Sequence, residues 1–167
     1  MQAIVNVSPE WGIGNENRLL VRIKEDMRRF RAFTTHHTII VGRKTLETFP
    51  GGRPLPDREN IILTRDPEYR AENAIVCRSL DELRKILSGK DPDSVFVCGG
   101  EQIYRLLLPY CSTAFVTMTE TDCKADRFFP DLNRQPDWIL TEEGEPKTEG
   151  ETTYRFLKYE NTKPLSL

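Results

Sequence analysis

The chain has 167 residues, with 24 basic and 26 acidic side chains and a formal net charge of -2. Its length is that of one domain, and its nearly balanced charge gives no overall field that would attract nucleic acid or an anionic membrane. No apolar stretch is long enough to span a membrane, and no basic segment followed by an apolar one opens the chain, so we expect a cytoplasmic protein. We expect a monomer with one domain over residues 1–160 and a loose tail over residues 161–167.

The four cysteines do not form a metal-binding pattern. They are widely and unevenly spaced, contain no C-x-x-C pair, and have only His36 and His37 as possible imidazole partners. Free thiols in a reducing cytoplasm are the simplest interpretation, and we expect no metal site.

Short β-branched runs alternate with helical patterns along the first two thirds of the chain. This alternation predicts an α/β fold with a central, mostly parallel, twisted sheet. The predicted strands here are residues 3–7, 38–41, 60–63, 74–76 and 94–98, and the four predicted helices are residues 23–33, 44–49, 80–87 and 101–108. After Pro109 only strands are predicted, at 114–119, 138–142 and 153–158, which indicates an antiparallel C-terminal hairpin that completes the sheet.

Asp26 falls on the apolar face of the first predicted helix. That face is a stripe with three- and four-residue spacing, formed by Ile23, Met27, Phe30 and Phe33. The rest of the helix surface carries charged residues, namely Lys24, Glu25, Arg28, Arg29 and Arg31. A carboxylate that faces a core or cleft needs a polar partner, which favours a ligand. The alternative is an acid in the first turn that complements the helix dipole, and the helix alone leaves both interpretations open.

Two predicted strands run through glycine into a predicted helix, at the strand ends where parallel sheets bind ligands. Residues 94–98 lead into Gly99 and Gly100, which let a pyrophosphate approach the backbone N–H groups of the helix start, although such a turn also occurs for packing alone. Residues 38–41 lead into Gly42, Arg43, Lys44 and Thr45. Cations at a helix start oppose the helix dipole, so this segment favours an anionic ligand over a merely solvated turn.

A third strand end adds to this pattern. Residues 60–63 are followed by Thr64 and Arg65, which suit a further phosphate such as the 2′-phosphate that distinguishes NADP from NAD. A Thr-Arg pair is common after a strand and is weak evidence alone. The three strand ends together favour a phosphate-bearing cofactor.

Sequence blocks in a fixed order resemble the dihydrofolate reductase family over nearly the whole chain. The blocks are W-G-I-G-N-E-N at 11–17, E-D-M-R-R-F at 25–30, V-G-R-K-T at 41–45, G-R-P-L-P-D-R-E-N-I-I-L-T at 52–64, V-C-G-G-E-Q-I-Y at 97–104, Thr117, and D-R-F-F-P at 126–130. The block at 52–64 is highly specific. The resemblance implies NADPH-dependent reduction of 7,8-dihydrofolate to 5,6,7,8-tetrahydrofolate, which supports one-carbon metabolism and thymidylate synthesis.

The resemblance implies roles for the substrate-binding residues. Asp26 resembles the family's pterin-binding acid, which accepts hydrogen bonds from the 2-amino group and the adjacent ring nitrogen, and Thr117 would support it through its hydroxyl. Hydride transfer to pterin C6 requires a proton at N5, and water is the implied carrier because no side chain obviously reaches that atom. Arg58 would hold the α-carboxylate of the glutamate tail. The other implied contacts are Ile4, Val5, Met27, Phe30, Leu55, Cys98 and Tyr104.

The resemblance also implies an NADPH site beneath a flexible loop. Residues 12–19 resemble the loop that closes over nicotinamide, with Leu19 as its apolar lid residue, and closure would exclude water. Antifolate inhibitors are further expected ligands of such a site. The implied cofactor contacts are Asn6, Ile13, Gly14, Asn17, Leu19, Gly42, Arg43, Lys44, Thr45, Leu63, Thr64, Arg65, Arg78, Cys98, Gly99, Gly100, Glu101, Gln102, Ile103 and Tyr104.

The chain departs from the family's pattern at four positions in three places. Leu20 and Val21 stand where the family usually has a proline-tryptophan or similar pair, which leaves the water network near the acid and the sensitivity to inhibitors open. Asn6 stands where a small apolar residue is usual, and its amide would bind the nicotinamide carboxamide, replace the lost water contact or pair with backbone. Lys24 replaces a proline at the helix start, a change that we expect to cost little.

Two other functions are kept as alternatives. The NADPH-dependent pyrimidine reductase of riboflavin synthesis is structurally related, but it lacks the helix pattern around Asp26 and the block at 52–64. A catalytically silent folate- or nucleotide-binding protein is favoured only by Val21 and Asn6.

Overall fold

Twelve strands and four α-helices make up the molecule, and the computed structural model describes all of residues 1–167. None of the helices is long and apolar enough to cross a membrane. Short 3-10 turns lie at Pro50–Gly52, Pro92–Ser94, Leu108–Tyr110 and Leu132–Arg134. The other elements, in chain order, are β1 (Gln2–Val7), β2 (Gly12–Asn15), β3 (Arg18–Leu19), α1 (Lys24–Thr34), β4 (Thr38–Gly42), α2 (Arg43–Glu47), β5 (Glu59–Leu63), β6 (Ile75–Cys77), α3 (Leu80–Leu87), β7 (Val95–Val97), α4 (Glu101–Leu107), β8 (Thr113–Thr119), β9 (Arg127–Phe128), β10 (Trp138–Glu143), β11 (Lys147–Glu149) and β12 (Thr152–Asn161).

The large sheet has the strand order β10, β12, β8, β1, β7, β4, β5, β6, with β11 paired to β12. The strands from β8 to β6 are parallel to their neighbours, whereas β12 is antiparallel to β8, β10 and β11. The predicted mostly parallel sheet with an antiparallel C-terminal hairpin is confirmed. Because β1, β4, β5, β6 and β7 are parallel, their carboxyl ends meet at one edge of the sheet, where ligands bind in such folds.

The central strands are buried on both faces. Ile39, Ile40 and Val41 of β4, and Ile61 and Ile62 of β5, are fully buried. Such continuous apolar runs are typical of parallel strands covered on both sides, and they hold the strand ends rigidly. Residues at the carboxyl ends of these strands are therefore held in fixed positions.

The segment predicted as a flexible loop forms a second small sheet, in which β2 pairs with both β3 and β9. Glu16 and Asn17 connect β2 to β3 with positive φ angles of 49° and 61°, as a tight hairpin turn requires. Gly14 is needed here because a Cβ atom would lie 2.8 Å from the Arg18 carbonyl oxygen.

The C-terminal segment is held to the domain at several points. We expected residues 161–167 to be loose, but Asn161 is the last residue of β12. Beyond it, Thr162 N–H donates to the Asp137 carbonyl at 2.8 Å and Leu165 N–H donates to the Pro109 carbonyl at 2.9 Å. The half-buried Leu167 packs against the main core.

Helix α1 lies over the face of the sheet that carries Phe115 and Phe156, and its surface differs from the predicted stripe. Met27, predicted to be buried, is 48% exposed at the cleft. Arg29, predicted on the polar side, is half-buried, and its guanidinium carbon lies 4.1 Å from the Phe156 ring centroid and 5.0 Å from that of Phe33. Cation–π contact with these rings explains how an arginine occupies an apolar layer.

The start of α1 is capped from the C-terminal hairpin. The residue before the helix, Ile23, has no side-chain oxygen for a cap, and the carboxylate of Glu149 instead accepts from Lys24 N–H at 3.0 and 3.2 Å. A proline at position 24 would need no such partner, since it has no N–H. Glu149 therefore accepts a hydrogen bond from the backbone N–H that is present because residue 24 is lysine and not proline.

Candidate active site

A cleft of about 1350 Å³ opens at the edge of the sheet where β1, β4, β5 and β7 end. Its walls also include parts of α1 and the β2–β3 hairpin. The predicted site residues that line it are Val5, Asn6, Ile13, Gly14, Asn17, Leu19, Asp26, Met27, Gly42, Arg43, Lys44, Thr45, Leu63, Thr64, Arg65, Arg78, Cys98, Gly99, Gly100, Glu101, Gln102, Ile103 and Tyr104. The predicted site residues that do not line it are Ile4, Phe30, Leu55, Arg58 and Thr117.

Asp26 lies in the first turn of α1, and side chains from β1 and β8 hold both of its carboxylate oxygens. Thr117 Oγ1 donates to Oδ1 at 2.5 Å, and Asn6 Nδ2 donates to Oδ2 at 3.0 Å. Thr119 Oγ1 in turn donates to Asn6 Oδ1 at 2.7 Å. The acid is thus attached to two adjacent strands of the sheet, which pair with Asn6 opposite Thr117.

Burial raises the pKa of Asp26 above that of an ordinary aspartate. The hydrogen bonds from Thr117 and Asn6 and the positive charge of Arg29 oppose this rise but do not cancel it, and Glu25 adds to it. Such a balance is typical of a functional carboxylate, because an acid that served only as a helix cap would lie in water. A ligand with paired N–H groups would stabilise the charged form.

The side of the cleft opposite α1 includes Tyr104 and Cys98. Tyr104 Oη donates to the Ile4 carbonyl at 2.7 Å, so the carbonyl expected to face the pterin amine already has one donor and retains its second lone pair. Burial raises the pKa of the Cys98 thiol far above its usual range, which makes that cysteine an unreactive, apolar wall group.

Phe30 and Arg58, two of the predicted residues outside the cleft wall, lie close together. The Arg58 guanidinium carbon is 6.0 Å from the Phe30 ring centroid, and Arg58 Nε donates to Thr34 Oγ1 at 3.0 Å. Burial and the like charge of Arg31 lower the pKa of Arg58. Two arginines whose charges repel each other are suited to binding an anion such as a carboxylate.

Buried Asn60 braces the loop that presents Leu55 and Arg58. Its Oδ1 accepts from Leu55 N–H at 3.0 Å, while its Nδ2 donates to the carbonyls of Leu55 and Arg58 at 2.9 and 3.1 Å. The Asn60 side chain thus satisfies three backbone groups of the loop that no neighbouring strand pairs with. Asn60 lies within the block at 52–64, but no role was predicted for it.

At the other end of the cleft, the strand ends present cations without acidic partners. Arg43, Lys44 and Arg65 line the cleft, and none of them forms an ion pair. Three cations in one wall repel one another unless an anion binds between them. This end of the cleft is therefore suited to phosphate groups.

Arg78 lines the cleft, and most of its donors also bond to backbone carbonyls of the protein. Its Nη2 donates to the carbonyls of Tyr69 and Pro67 at 2.8 and 3.3 Å, and its Nε donates to the Asp66 carbonyl at 3.3 Å. These bonds fix the loop after β5, although the side chain also lines the cleft. Only Nη1 has no partner within the protein.

The two glycine turns between the ends of the cleft lie against each other. Gly42 N–H donates to the Gly99 carbonyl at 2.8 Å. A Cβ atom on Gly100 would lie 3.0 Å from Thr45 Oγ1, and one on Gly42 would lie 3.1 Å from Ile103 Cγ1. Side chains at these two positions would therefore fill the space between the turns. Neither α2 nor α4 has a side-chain cap at its start. The turns and the adjacent cations fit a dinucleotide's phosphates.

The β2–β3 hairpin forms an outer wall of the cleft and is tied to the loop before β9. Asn15 Nδ2 donates to the Lys124 carbonyl at 2.7 Å, and Glu16 N–H donates to Asp126 Oδ2 at 3.0 Å. Glu101, predicted to contact the cofactor, accepts from Phe128 N–H at 2.6 Å and so anchors the same region. Leu19, which the resemblance predicts as the lid residue, is 56% exposed, so its apolar side chain is available to cover a ligand.

Three residues that support the site were not predicted as site residues: Asn60, Thr119 and Asp126. Asp126 and Asn60 lie within blocks that carry the resemblance, which is a usable signal. Thr119 gives no such signal, because its contact with Asn6 depends on strands 113 residues apart in the chain.

The fold and the cleft together define a class, the α/β enzymes that bind a phosphate-bearing cofactor and a second ligand side by side at the edge of a mostly parallel sheet. Comparison with known families identifies the chain more closely. A family model described as dihydrofolate reductase matches residues 1–161, and the chain belongs to the dihydrofolate reductase family.

Relatives agree with this assignment over nearly their whole lengths. The dihydrofolate reductase of Bacillus subtilis is 37% identical over 150 residues, which cover 89% of this chain and 86% of the relative. That of Staphylococcus haemolyticus is 36% identical over 159 residues, or 94% and 93% of the two chains. A structure of the Enterococcus faecalis enzyme complexed with NADP(H) and RAB-propyl matches with a TM-score of 0.84 and 29% identity, covering 96% of this chain and 95% of that one.

Proposed function

We propose that this chain reduces 7,8-dihydrofolate to 5,6,7,8-tetrahydrofolate with NADPH as the reductant. The observation that carries the proposal is the half-buried Asp26, held by Thr117 and Asn6 in a cleft whose far end is lined with unpaired cations. Membership of the family and the NADP(H) complex of the Enterococcus faecalis relative support it.

Asp26 orients the pterin ring. A carboxylate has about four lone-pair sites, and the protein uses one on each oxygen, which leaves one on each oxygen for a ligand. The 2-amino group and the neighbouring ring N–H of a pterin are parallel donors with matching spacing. The pair of hydrogen bonds replaces the hydration that burial removes from the acid.

The phosphate end holds the cofactor, and NADPH supplies the hydride that reduces pterin C6. Arg43 and Arg65 would hold its phosphates through their charge and Thr64 through its hydroxyl, and the backbone at Gly99 and Gly100 would accommodate the pyrophosphate. Leu19 covers the nicotinamide side of the cleft when the β2–β3 hairpin closes and so excludes water.

Of the titratable side chains in the cleft other than Asp26, Tyr104 already donates to the Ile4 carbonyl and Glu101 already accepts from Phe128 N–H. Asp26 is bound to the opposite edge of the pterin, so water is the carrier of the proton that N5 requires and the acid acts by orientation and charge. Arg58, with Arg31 nearby, binds the α-carboxylate of the glutamate tail as a fork.

We further propose that the chain acts as a monomeric single domain in the cytoplasm. All four of its cysteines are free, and two of them are buried as apolar core groups, as in proteins of reducing compartments. Sedimentation velocity of the purified chain tests the monomer, and a dimer at micromolar concentration would contradict it.

Loss of NADPH absorbance on addition of dihydrofolate tests the proposed reaction directly. In Asp26→Asn, kcat/KM for dihydrofolate should fall by about 100-fold or more near neutral pH, a factor usual for a side chain that acts on the reacting groups. The dissociation constant for NADPH should stay unchanged. The control is Asp81→Asn, an exposed acid on α3 outside the cleft. A wild-type chain that binds both ligands without turnover would refute the function.

A further inference from the structure

Asn6 occupies the middle of a side-chain relay that ends at the catalytic acid. Thr119 Oγ1 donates to Asn6 Oδ1 at 2.7 Å, and Asn6 Nδ2 donates to Asp26 Oδ2 at 3.0 Å. Asn6 is therefore the only side chain of the protein that bonds to Oδ2, while Thr117 bonds to Oδ1. Residue 6 was one of the positions at which this chain departs from the family's pattern.

The amide of Asn6 has one productive orientation. An ionised carboxylate only accepts hydrogen bonds, so the NH2 group must face Asp26. The oxygen then faces Thr119, whose hydroxyl donates to it. A water molecule at this place would be free to turn, whereas the hydrogen bond from Thr119 stabilises the amide in this orientation.

The other groups near Asp26 do not duplicate this contact. Arg29 and Glu25 on α1 act on the acid through charge, with opposite signs, and Tyr104 faces it from α4 but donates to the Ile4 carbonyl. Val21, where the family usually has an aromatic residue, lines the cleft and has no polar side-chain atom. Without Asn6, Oδ2 would have no donor from the protein.

We propose that Asn6 is a positioning residue for dihydrofolate reduction in this chain, which fixes the Asp26 carboxylate in the orientation that receives the pterin and is itself fixed by Thr119. The inference rests on the proposed function. It assigns to the side chain of Asn6 the polar role that Val21 cannot supply. It also explains why β1 has a polar residue at position 6, where the family usually has a small apolar one.

The test is a set of four variants: Asn6→Ala, Thr119→Val, Thr119→Ser and the control Thr113→Val. Asn6→Ala removes the donor to Oδ2, and Thr119→Val removes the donor that fixes the amide oxygen of Asn6. Thr119→Ser keeps the hydroxyl and should rescue. Thr113 is a buried threonine of the same strand, far from the acid, so Thr113→Val reports the cost of the substitution type alone.

Two measurements decide the outcome. The first is the pKa of Asp26 in the NADPH complex, measured from the pH dependence of the carbon NMR signal of its carboxyl group. That signal is assigned because it is absent from the spectrum of Asp26→Asn. The second is the pH profile of kcat/KM for dihydrofolate. Asn6→Ala should raise the pKa and lower kcat/KM by about tenfold at neutral pH, as expected for one lost hydrogen bond to a charged group. Thr119→Val should shift both in the same direction by less, and Thr119→Ser should restore them.

An unchanged Asp26 pKa in folded Asn6→Ala and Thr119→Val would overturn the proposal, as would equal effects from Thr113→Val. If Asn6→Ala fails to fold, the Thr119→Val and Thr119→Ser pair still decides, because a packing role would not follow the hydroxyl. Failure of the proposed function looks different: the wild-type chain itself would then show no turnover.

Discussion

The two ends of the cleft are built in opposite ways. At the acid end, Asp26 is half-buried, and both of its oxygens accept hydrogen bonds from side chains of the protein. At the phosphate end, Arg43, Lys44 and Arg65 line the cleft and have no acidic partner within the protein. At the acid end the chain supplies one donor to each carboxylate oxygen, whereas at the phosphate end it supplies no partner for the cations, which need an anion from a ligand.

This difference indicates how each end recognises its ligand. Recognition at the acid end depends on the orientation of a few hydrogen bonds and on the protonation of one carboxylate, so pH should control it. Recognition at the phosphate end depends on unpaired charge near the surface, which salt screens over about 10 Å at moderate ionic strength. Raising the salt concentration should therefore weaken NADPH binding more than folate binding.

Of the variants that test this difference between the two ends, Arg65→Ala at the phosphate end is expected to have the largest effect after Asp26→Asn at the acid end. Loss of one charge-assisted contact to the 2′-phosphate should raise KM for NADPH by about 10- to 100-fold, because such a bond contributes about 1.5–3 kcal/mol. KM for NADH, which lacks that phosphate, should change little. Steady-state kinetics with both cofactors measure the two values.

Arg84→Ala serves as the control for Arg65→Ala. Arg84 is an exposed arginine of α3 that does not line the cleft, and its ion pair with Asp81 is a surface contact. The Arg84→Ala substitution should leave KM for NADPH and KM for NADH unchanged. An equal rise of KM for NADPH and NADH in Arg65→Ala would show that the residue acts on the fold of the loop and not on the phosphate.

The phosphate end was the easier of the two to predict from the sequence. Thr64 and Arg65, like Gly99 and Gly100, follow apolar runs directly, so their place at the edge of the sheet follows from the strand alone. The bond between Asn6 and Asp26 spans 20 residues, and it depends on how α1 lies over the β1–β8 pair. Local periodicity holds no information on such packing.

Helix α1 also shows that local periodicity does not determine how side chains pack. Its helical period was correct, but the period assigned Met27 to the interior and Arg29 to water. The guanidinium of Arg29 packs against Phe156, a residue that follows it by more than a hundred positions, and so it takes the buried place. Met27 instead faces the cleft, where a ligand can cover it.

A smaller effect is expected where the C-terminal hairpin supports the acid end. Glu149→Ala removes the carboxylate that accepts from Lys24 N–H, and loss of a helix cap costs about 1 kcal/mol. Urea denaturation should show this decrease in the free energy of unfolding. Glu151→Ala, an exposed glutamate of the same hairpin, is the matched control.

Lys24→Pro provides a second check on the cap, because it removes the N–H that Glu149 serves. The extended backbone of Ile23 is compatible with a following proline. In a Lys24→Pro background, Glu149→Ala should cost nothing further. A full loss in both backgrounds would mean that Glu149 stabilises the hairpin and not the helix start.

The smallest expected effect is a difference in pH dependence between two neighbouring acids. Burial raises the pKa of Asp26, whereas hydrogen bonds from Lys147 and Tyr154 lower the pKa of Glu25. For Asp26 the unfolded chain releases its proton first as pH rises, so the ligand-free wild type should lose stability relative to Asp26→Asn between the ordinary aspartate pKa and the raised one. For Glu25 the folded chain releases its proton first.

The wild type should therefore gain stability relative to Glu25→Gln as pH rises through the lowered and then the ordinary glutamate pKa. The gain should be slight, because the ion pair of Glu25 with Lys147 is exposed to water. Denaturation midpoints of the three chains, measured without ligands across the acidic range, should diverge in opposite directions. If Asp26→Asn followed the same trend as Glu25→Gln, the hydrogen bonds from Asn6 and Thr117 would outweigh the burial of the acid. The carboxylate would then be satisfied before any pterin binds, and the contrast between the two ends of the cleft would be greater.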